Sequence, residues 1–160
     1  MSDTVRTKLR EAIKWNLQQI ATSGGYRSTI YKVYDPPRAI SALGEFPSAN
    51  VSWGREERTN EHINGNNELL DIRFEVQVDV FISESDDPAL AQDKMIADIQ
   101  QRFGQNWYIQ GSDGERTAFN CLFAASEPFG IEGQKPNCGV SVMIEVWYRI
   151  KLTNPESMTN

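Results

Sequence analysis

One histidine and two cysteines in 160 residues leave few ways to hold a transition metal. His62 stands alone, and Cys121 and Cys138 form neither a CxxC pair nor another metal-ligand spacing. A zinc site is hard to assemble from these, and the cysteines are expected as two reduced, unpaired thiols. A Ser-His-Asp or Cys-His triad would have to use His62, which sits in a polar Asn/Gly-rich stretch where a held catalytic geometry is hard to build. Phosphate-cradling loops are missing too. Ser23-Gly24-Gly25 follows a helical pattern instead of leading into one, and Gly130 and Gly133 have no Lys-Ser/Thr after them. No run of eighteen apolar residues occurs, and Met1–Arg10 lacks a signal-peptide pattern, so a cytoplasmic chain without a membrane span is expected. Basic charge is also scarce: 16 Lys+Arg stand against 22 Asp+Glu, for a net charge of -6 and a pI near 4.8. That argues against a protein that reads nucleic-acid sequence, which needs a basic stripe. It leaves room for a channel that DNA merely passes through, where an acidic wall prevents sticking.

What the chain does have is alternation. From Leu70 to Ile82, the residues Ile72, Phe74, Val76, Val78, Val80 and Ile82 fall on every second position, with Asp71, Arg73, Glu75, Gln77 and Asp79 between them. A pleated strand sends the two sets to opposite faces, so the pattern predicts a half-buried β-strand, far longer than the usual five or six residues. Gly139–Lys151 repeats the theme: Val140, Val142, Ile144, Val146, Tyr148 and Ile150 alternate with Ser141, Met143, Glu145, Trp147, Arg149 and Lys151.

Two helices accompany these strands. Val5, Leu9, Ala12, Ile13, Leu17 and Ile20 mark an amphipathic helix over Asp3–Ala21, capped by Ser2 or Asp3 and ended by Ser23-Gly24-Gly25. Trp15 stands beside its apolar stripe, as an edge-of-core aromatic or a subunit contact. Asp86-Asp87-Pro88 starts the second helix, with an Asp as cap, Pro at the first helical position, and Leu90, Ala91, Met95, Ile99 and Phe103 as its stripe. Short strands are expected at Ser28–Tyr34 and Asn50–Glu57, separated by the Pro-rich segment Asp35–Pro47. The second of them forms a hairpin with the long strand, its polar tip at Thr59–Glu68. Thr117–Ala125 carries apolar residues on both faces and reads as an interior strand. Glu127–Asn137 reads as a loop. The order α-β-β-β-α-β-β predicts one α+β domain over residues 1–152, with residues 153–160 as a flexible tail. Its architecture would be two-layered: a mainly antiparallel sheet of four to five strands with two helices packed on one face.

The opposite sheet face then carries Asp71, Arg73, Glu75, Asp79, Glu145, Trp147 and Arg149. On one strand, i and i+4 lie about 13 Å apart, so Asp71, Glu75 and Asp79 cannot share a metal or a proton without another strand. A solvated or interface-lining face fits better than a catalytic one. An enzyme site would require carboxylates of separate strands to converge, such as Glu75 with Glu145. Trp53, Trp107 and Trp147 offer aromatic anchors; Trp147 lies in the charged register, exposed for a partner unless the Asp35–Pro47 segment covers it. Arg55-Glu56-Glu57-Arg58 is either a solvated hairpin end or, across a symmetric interface, a two-way ion pairing.

The run Glu45-Phe46-Pro47-Ser48-Ala49-Asn50-Val51-Ser52-Trp53-Gly54-Arg55-Glu56 belongs with this order of elements. So do the acidic-proline helix start with Ala89-Leu90 and the ending Val146-Trp147-Tyr148. Together, over Val5 to Leu152, they resemble the tail terminator (tail completion, minor tail) proteins of long-tailed bacteriophages. The resemblance implies a non-enzymatic virion subunit without cofactor, assembled in the host cytoplasm into a hexameric ring at the tail and neck. Such a ring caps the tail tube, stops its polymerisation and meets the neck connector, while DNA passes through without sequence-specific binding. The acidic face would line the lumen or meet a neighbouring subunit; Arg55, Glu56, Glu57, Arg58 and His62 would touch the tube or a neighbour. Asp35–Pro47 and Glu127–Asn137 are long for a minimal member, which leaves open which loops make which contacts. Another head-tail joining protein, from the neck or head completion, is the alternative, and a small-molecule-binding domain a more distant one.

Overall fold

The computed structural model describes residues 4–59, 69–83, 85–131, 133 and 137–151. His62, the tail 153–160 and most of the polar hairpin tip lie outside the described residues. The elements are α1 (Val5–Gln18), β1 (Lys32–Tyr34), β2 (Ser48–Arg58), β3 (Leu69–Ile82), α2 (Pro88–Gln105), β4 (Asn120–Gly130) and β5 (Cys138–Lys151), an α+β fold in the expected order. One five-stranded sheet runs β1-β2-β3-β5-β4. β1 joins β2 in parallel and every other pairing is antiparallel.

The two alternating segments pair with each other at the centre. Fourteen consecutive residues of β3 face fourteen of β5, from Leu69 opposite Lys151 to Ile82 opposite Cys138. At about 3.3 Å per residue this ladder is about 46 Å long. Its even-numbered side chains, Ile72 to Ile82 on β3 and Val140 to Tyr148 on β5, are all buried. They form one core with the stripe of α1 and with Met95, Ile99 and Phe103 of α2. Burying each such side chain contributes on the order of 1.5–3 kcal/mol, so the period-two pattern alone fixes the register: a slip by one residue would turn the whole row to the wrong face.

Several boundaries differ from expectation for local reasons. Thr4, not Ser2 or Asp3, caps α1, its hydroxyl accepting from the Thr7 amide at 3.2 Å. Asp87 caps α2 through the Leu90 amide at 3.1 Å, with Pro88 at the first helical position as expected. Leu90 itself turns outward at 49% exposure. Gln92 faces the sheet instead, its amide donating to the carbonyls of Phe129 and Gly139 at 3.0 Å each. The strand expected from Ser28 begins only at Lys32, because the amides of Arg27 and Ser28 are taken by the Asp98 carboxylate at 3.1 and 2.7 Å.

The largest departure is β4. Expected as interior, it is an edge strand, bonded among the described residues to β5 alone. It starts at Asn120 and runs on through Glu127–Gly130, which had the composition of a loop. Its apolar residues on both faces have separate reasons. Cys121 and Phe123 pack against the core, while Leu122, on the other face, stays 51% exposed. Pro128 is tolerated because an edge strand need not donate on its free side.

Candidate interaction face

Both helices pack on one side of the sheet, so the odd-numbered residues of β3 and β5 look outward, and among them Gly139 alone is buried. Asp71, Arg73, Glu75, Asp79, Glu145, Trp147 and Arg149 all lie on this outer face, as the alternation requires. Neighbouring strands bring them into three clusters. At one end Arg149 makes a two-pronged pair with Asp71 at 2.5 and 2.9 Å, which holds its guanidinium pKa above the usual value. The same guanidinium lies 5.5 Å over the Phe119 ring.

The middle cluster centres on Arg73. Glu75 and Glu145 stand directly opposite each other in the β3–β5 register. Like charges so placed destabilise a sheet, and Arg73 offsets them, with its guanidinium 3.9 Å from Glu75, 4.0 Å from Glu145 and 2.6 Å from Glu57 of β2. The two carboxylates that an enzyme site would need do converge, but with a cation of the chain between them. Among the described residues no group of three His, Cys, Asp or Glu is placed to hold a metal ion. In the third cluster Asp79 accepts from the Ser141 hydroxyl at 2.7 Å and the Gln77 amide at 3.2 Å.

A β-bulge in β2 sorts the Arg55–Arg58 run. The register shifts between Trp53 and Glu56, so Glu56 rather than Arg55 continues the inner row. Glu56 pairs with Arg6 of α1 and accepts from the Tyr148 hydroxyl at 3.2 Å, on the helix side. Glu57 points outward to Arg73, and Arg55 and Arg58 are exposed. Burial pushes the Tyr148 phenol pKa up, against the lowering effect of its hydrogen bond with Arg6.

The tryptophans divide by role. Trp53 stacks on Phe74 at 5.7 Å beneath the guanidinium of Arg10 and donates to Asp35 at 3.0 Å, an internal position. Trp107 is 45% exposed beside Tyr108. Trp147 is half-buried between Arg73 and Asn120. The Asp35–Pro47 segment is tied elsewhere, the Arg38 backbone bonding the Asn50 side chain on β2, two strands from β5. Trp15 stands under the Arg102 guanidinium at 5.3 Å and separates two open clefts of about 360 and 260 Å³.

Phe119 and Leu122, which extend the outer face with exposed apolar surface, were not foreseen as part of it. Their i, i+3 spacing at the start of a strand gave no face assignment by itself. Cys121 and Cys138 lie opposite Val146 and Gly130, at opposite ends of the β4–β5 ladder, much too far apart to bridge. Burial raises both thiol pKa values, that of Cys121 to about 12. No helix among the described residues is long and apolar enough to cross a membrane. No protein-family model matches the chain, and no curated protein matches it.

Proposed function

We propose that the protein is a tail terminator: a non-enzymatic structural subunit that assembles into a ring, caps a phage tail tube and presents the opposite ring face to the neck. The observation that carries this is the one-sided layering. A 46 Å ladder, about the length given by its fourteen residue pairs, is packed by helices on one face and left with ordered charge on the other. Surface of this kind, rigid and half-buried with exposed Phe119 and Leu122 at its border, suits repeated contact with a neighbour or the wall of a channel. β3 contributes three carboxylates, Asp71, Glu75 and Asp79, against one guanidinium, Arg73, and such a wall would not retain passing DNA. The mechanism is steric: one ring face complements the last tube ring, and the other offers no surface on which a further tube ring can add.

The deciding experiment is the mass of the purified protein alone and mixed with polymerising tail tubes, followed by negative-stain imaging. Six-fold rings, or tubes capped at one end, support the assignment. A strict monomer that neither binds nor caps tubes sinks it. Replacing Asp71, Glu75 and Asp79 together with Lys then locates the face. Intact rings with hindered DNA passage place it at the lumen, and lost assembly places it between subunits.

A further inference from the structure

We propose that copies of this chain join head to tail through the two free edges of the sheet, β4 of one copy adding to β1 of the next. Among the described residues the sheet begins at β1 and ends at β4, each hydrogen-bonded to a single neighbouring strand. β1 and β2 run the same way, and three antiparallel pairings follow, so β1 and β4 point in opposite directions. Where the β4 edge meets β1 of a second copy, the new pair is antiparallel and the outer face of one sheet continues into that of the next.

Edge strands of soluble proteins are blunted by charge, proline or bulges. β4 holds no Lys or Arg and one carboxylate, Glu127, while Leu122, Ala124 and Ala125 are exposed. Its two blunting devices are the bulge between Phe123 and Ala125 and the proline at 128. Between them Ala125-Ser126-Glu127 stays regular, three residues long, and β1 is also three residues, Lys32-Val33-Tyr34. Setting Lys32 opposite Glu127 brings Tyr34 opposite Ala125. Their strand partners put all four on the outer face, and put Val33 and Ser126 on the helix face. Neither Lys32 nor Glu127 makes an ion pair among the described residues. A two-fold β4–β4 joint has no such match, because β4 carries no cation. Unlike edges make a heterologous contact, which closes into a ring when the rotation between copies allows it. The biological sense of that ring rests on the tail terminator role proposed above; the edge match does not.

The test is a double variant, Lys32→Cys with Glu127→Cys, beside each single variant, oxidised free at high concentration and again on tail tubes. Cβ atoms of facing cross-strand residues lie about 4.5–5.5 Å apart, within reach of a disulfide after small adjustment. The double variant is expected to give a series of covalent multimers on a non-reducing gel, and the single variants to give none. Absence of multimers under both conditions, or dimers from Glu127→Cys alone, overturns the joint. Charge reversal adds a second reading: Lys32→Glu or Glu127→Lys weakens self-association about twofold to fivefold, the range of an exposed ion pair, and combining the two restores it. Failure to restore counts against the pairing. Multimers from a protein that caps no tubes would keep the joint and remove the tail role; capped tubes without multimers would do the reverse.

Discussion

Replacing Asp98 with alanine is expected to cost about 3–5 kcal/mol of folding stability, through the loss of a buried carboxylate that accepts several hydrogen bonds. Its side chain, on α2, has no exposed surface. It accepts three hydrogen bonds: from the Arg27 amide at 3.1 Å, the Arg27 guanidinium at 3.1 Å and the Ser28 amide at 2.7 Å. Bonds to an ionised acceptor contribute about 1.5–3 kcal/mol each, but three on one carboxylate do not add independently. Alanine would also leave two backbone donors without their acceptor where the chain turns toward β1. For a domain of this size 1 kcal/mol moves the midpoint by about 2–4 °C, so Tm should fall by about 6–20 °C in a calorimetric scan. Asp98→Asn keeps one acceptor but opposes an NH2 group to the amides, and should lie between wild type and alanine. Amide exchange at Ile30 and Tyr31 should quicken in both variants. An alanine variant melting within about 2 °C of wild type would show that the clamp contributes little, and the reasoning from burial and bond count would fail.

Three further outcomes follow from other contacts. Gly139→Ala should destabilise by about 1–3 kcal/mol, the usual cost of overpacking, because a Cβ there would stand 2.5 Å from the Val80 carbonyl oxygen and 2.7 Å from Cε2 of Phe129; urea unfolding measures it, and a neutral result would refute the close approach. Tyr148→Phe should cost about 1 kcal/mol at neutral pH through the lost bond to Glu56. Because the folded phenol pKa is raised, its contribution is complete below the unfolded value near pH 10 and is lost as pH rises through the folded one. The Phe variant should therefore lose stability less steeply as the pH rises above about 10, and equal slopes in urea titrations would contradict this. Cys121 and Cys138, with pKa values raised by burial, should resist alkylation in the native protein at about pH 8 and react rapidly once unfolded, since the thiolate is the reactive form. Rapid native labelling followed by mass spectrometry would overturn it.

Where a segment's environment is set by its own period, the sequence was a sufficient guide. The rows Ile72 to Ile82 and Val140 to Tyr148 declare their buried face, and Asp87-Pro88 declares a helix start. The outer-face residues followed from the same alternation. What stayed hidden depends on neighbours distant in the chain. β4 looks interior because Cys121, Leu122 and Phe123 are all apolar; only the strand order reveals that Leu122 faces outward at an edge. Glu56 and Glu57 are alike in sequence, and a single extra residue in β2 sends one to Arg6 and the other to Arg73. Asp98 sits within a stripe of Met95, Ile99 and Phe103, where a carboxylate makes sense only once the Arg27–Ser28 turn is folded against it.

The central ladder has a consequence for the order of folding. β2 and β3 meet across a short connection, Arg58 pairing with Ile72. β3 and β5 are separated by 56 residues at one end of their ladder, from 82 to 138, and by 82 at the other, from 69 to 151. Closing such loops slows folding, because chain entropy is lost before the distant contacts form. β4, though earlier in the chain, has no sheet partner until β5 arrives. The β2–β3 hairpin with α1 is thus the natural nucleus, and the sheet is finished from its middle by the most distant strand. Substitutions in β5 should then alter mainly the rate of unfolding, and those in the hairpin the rate of folding.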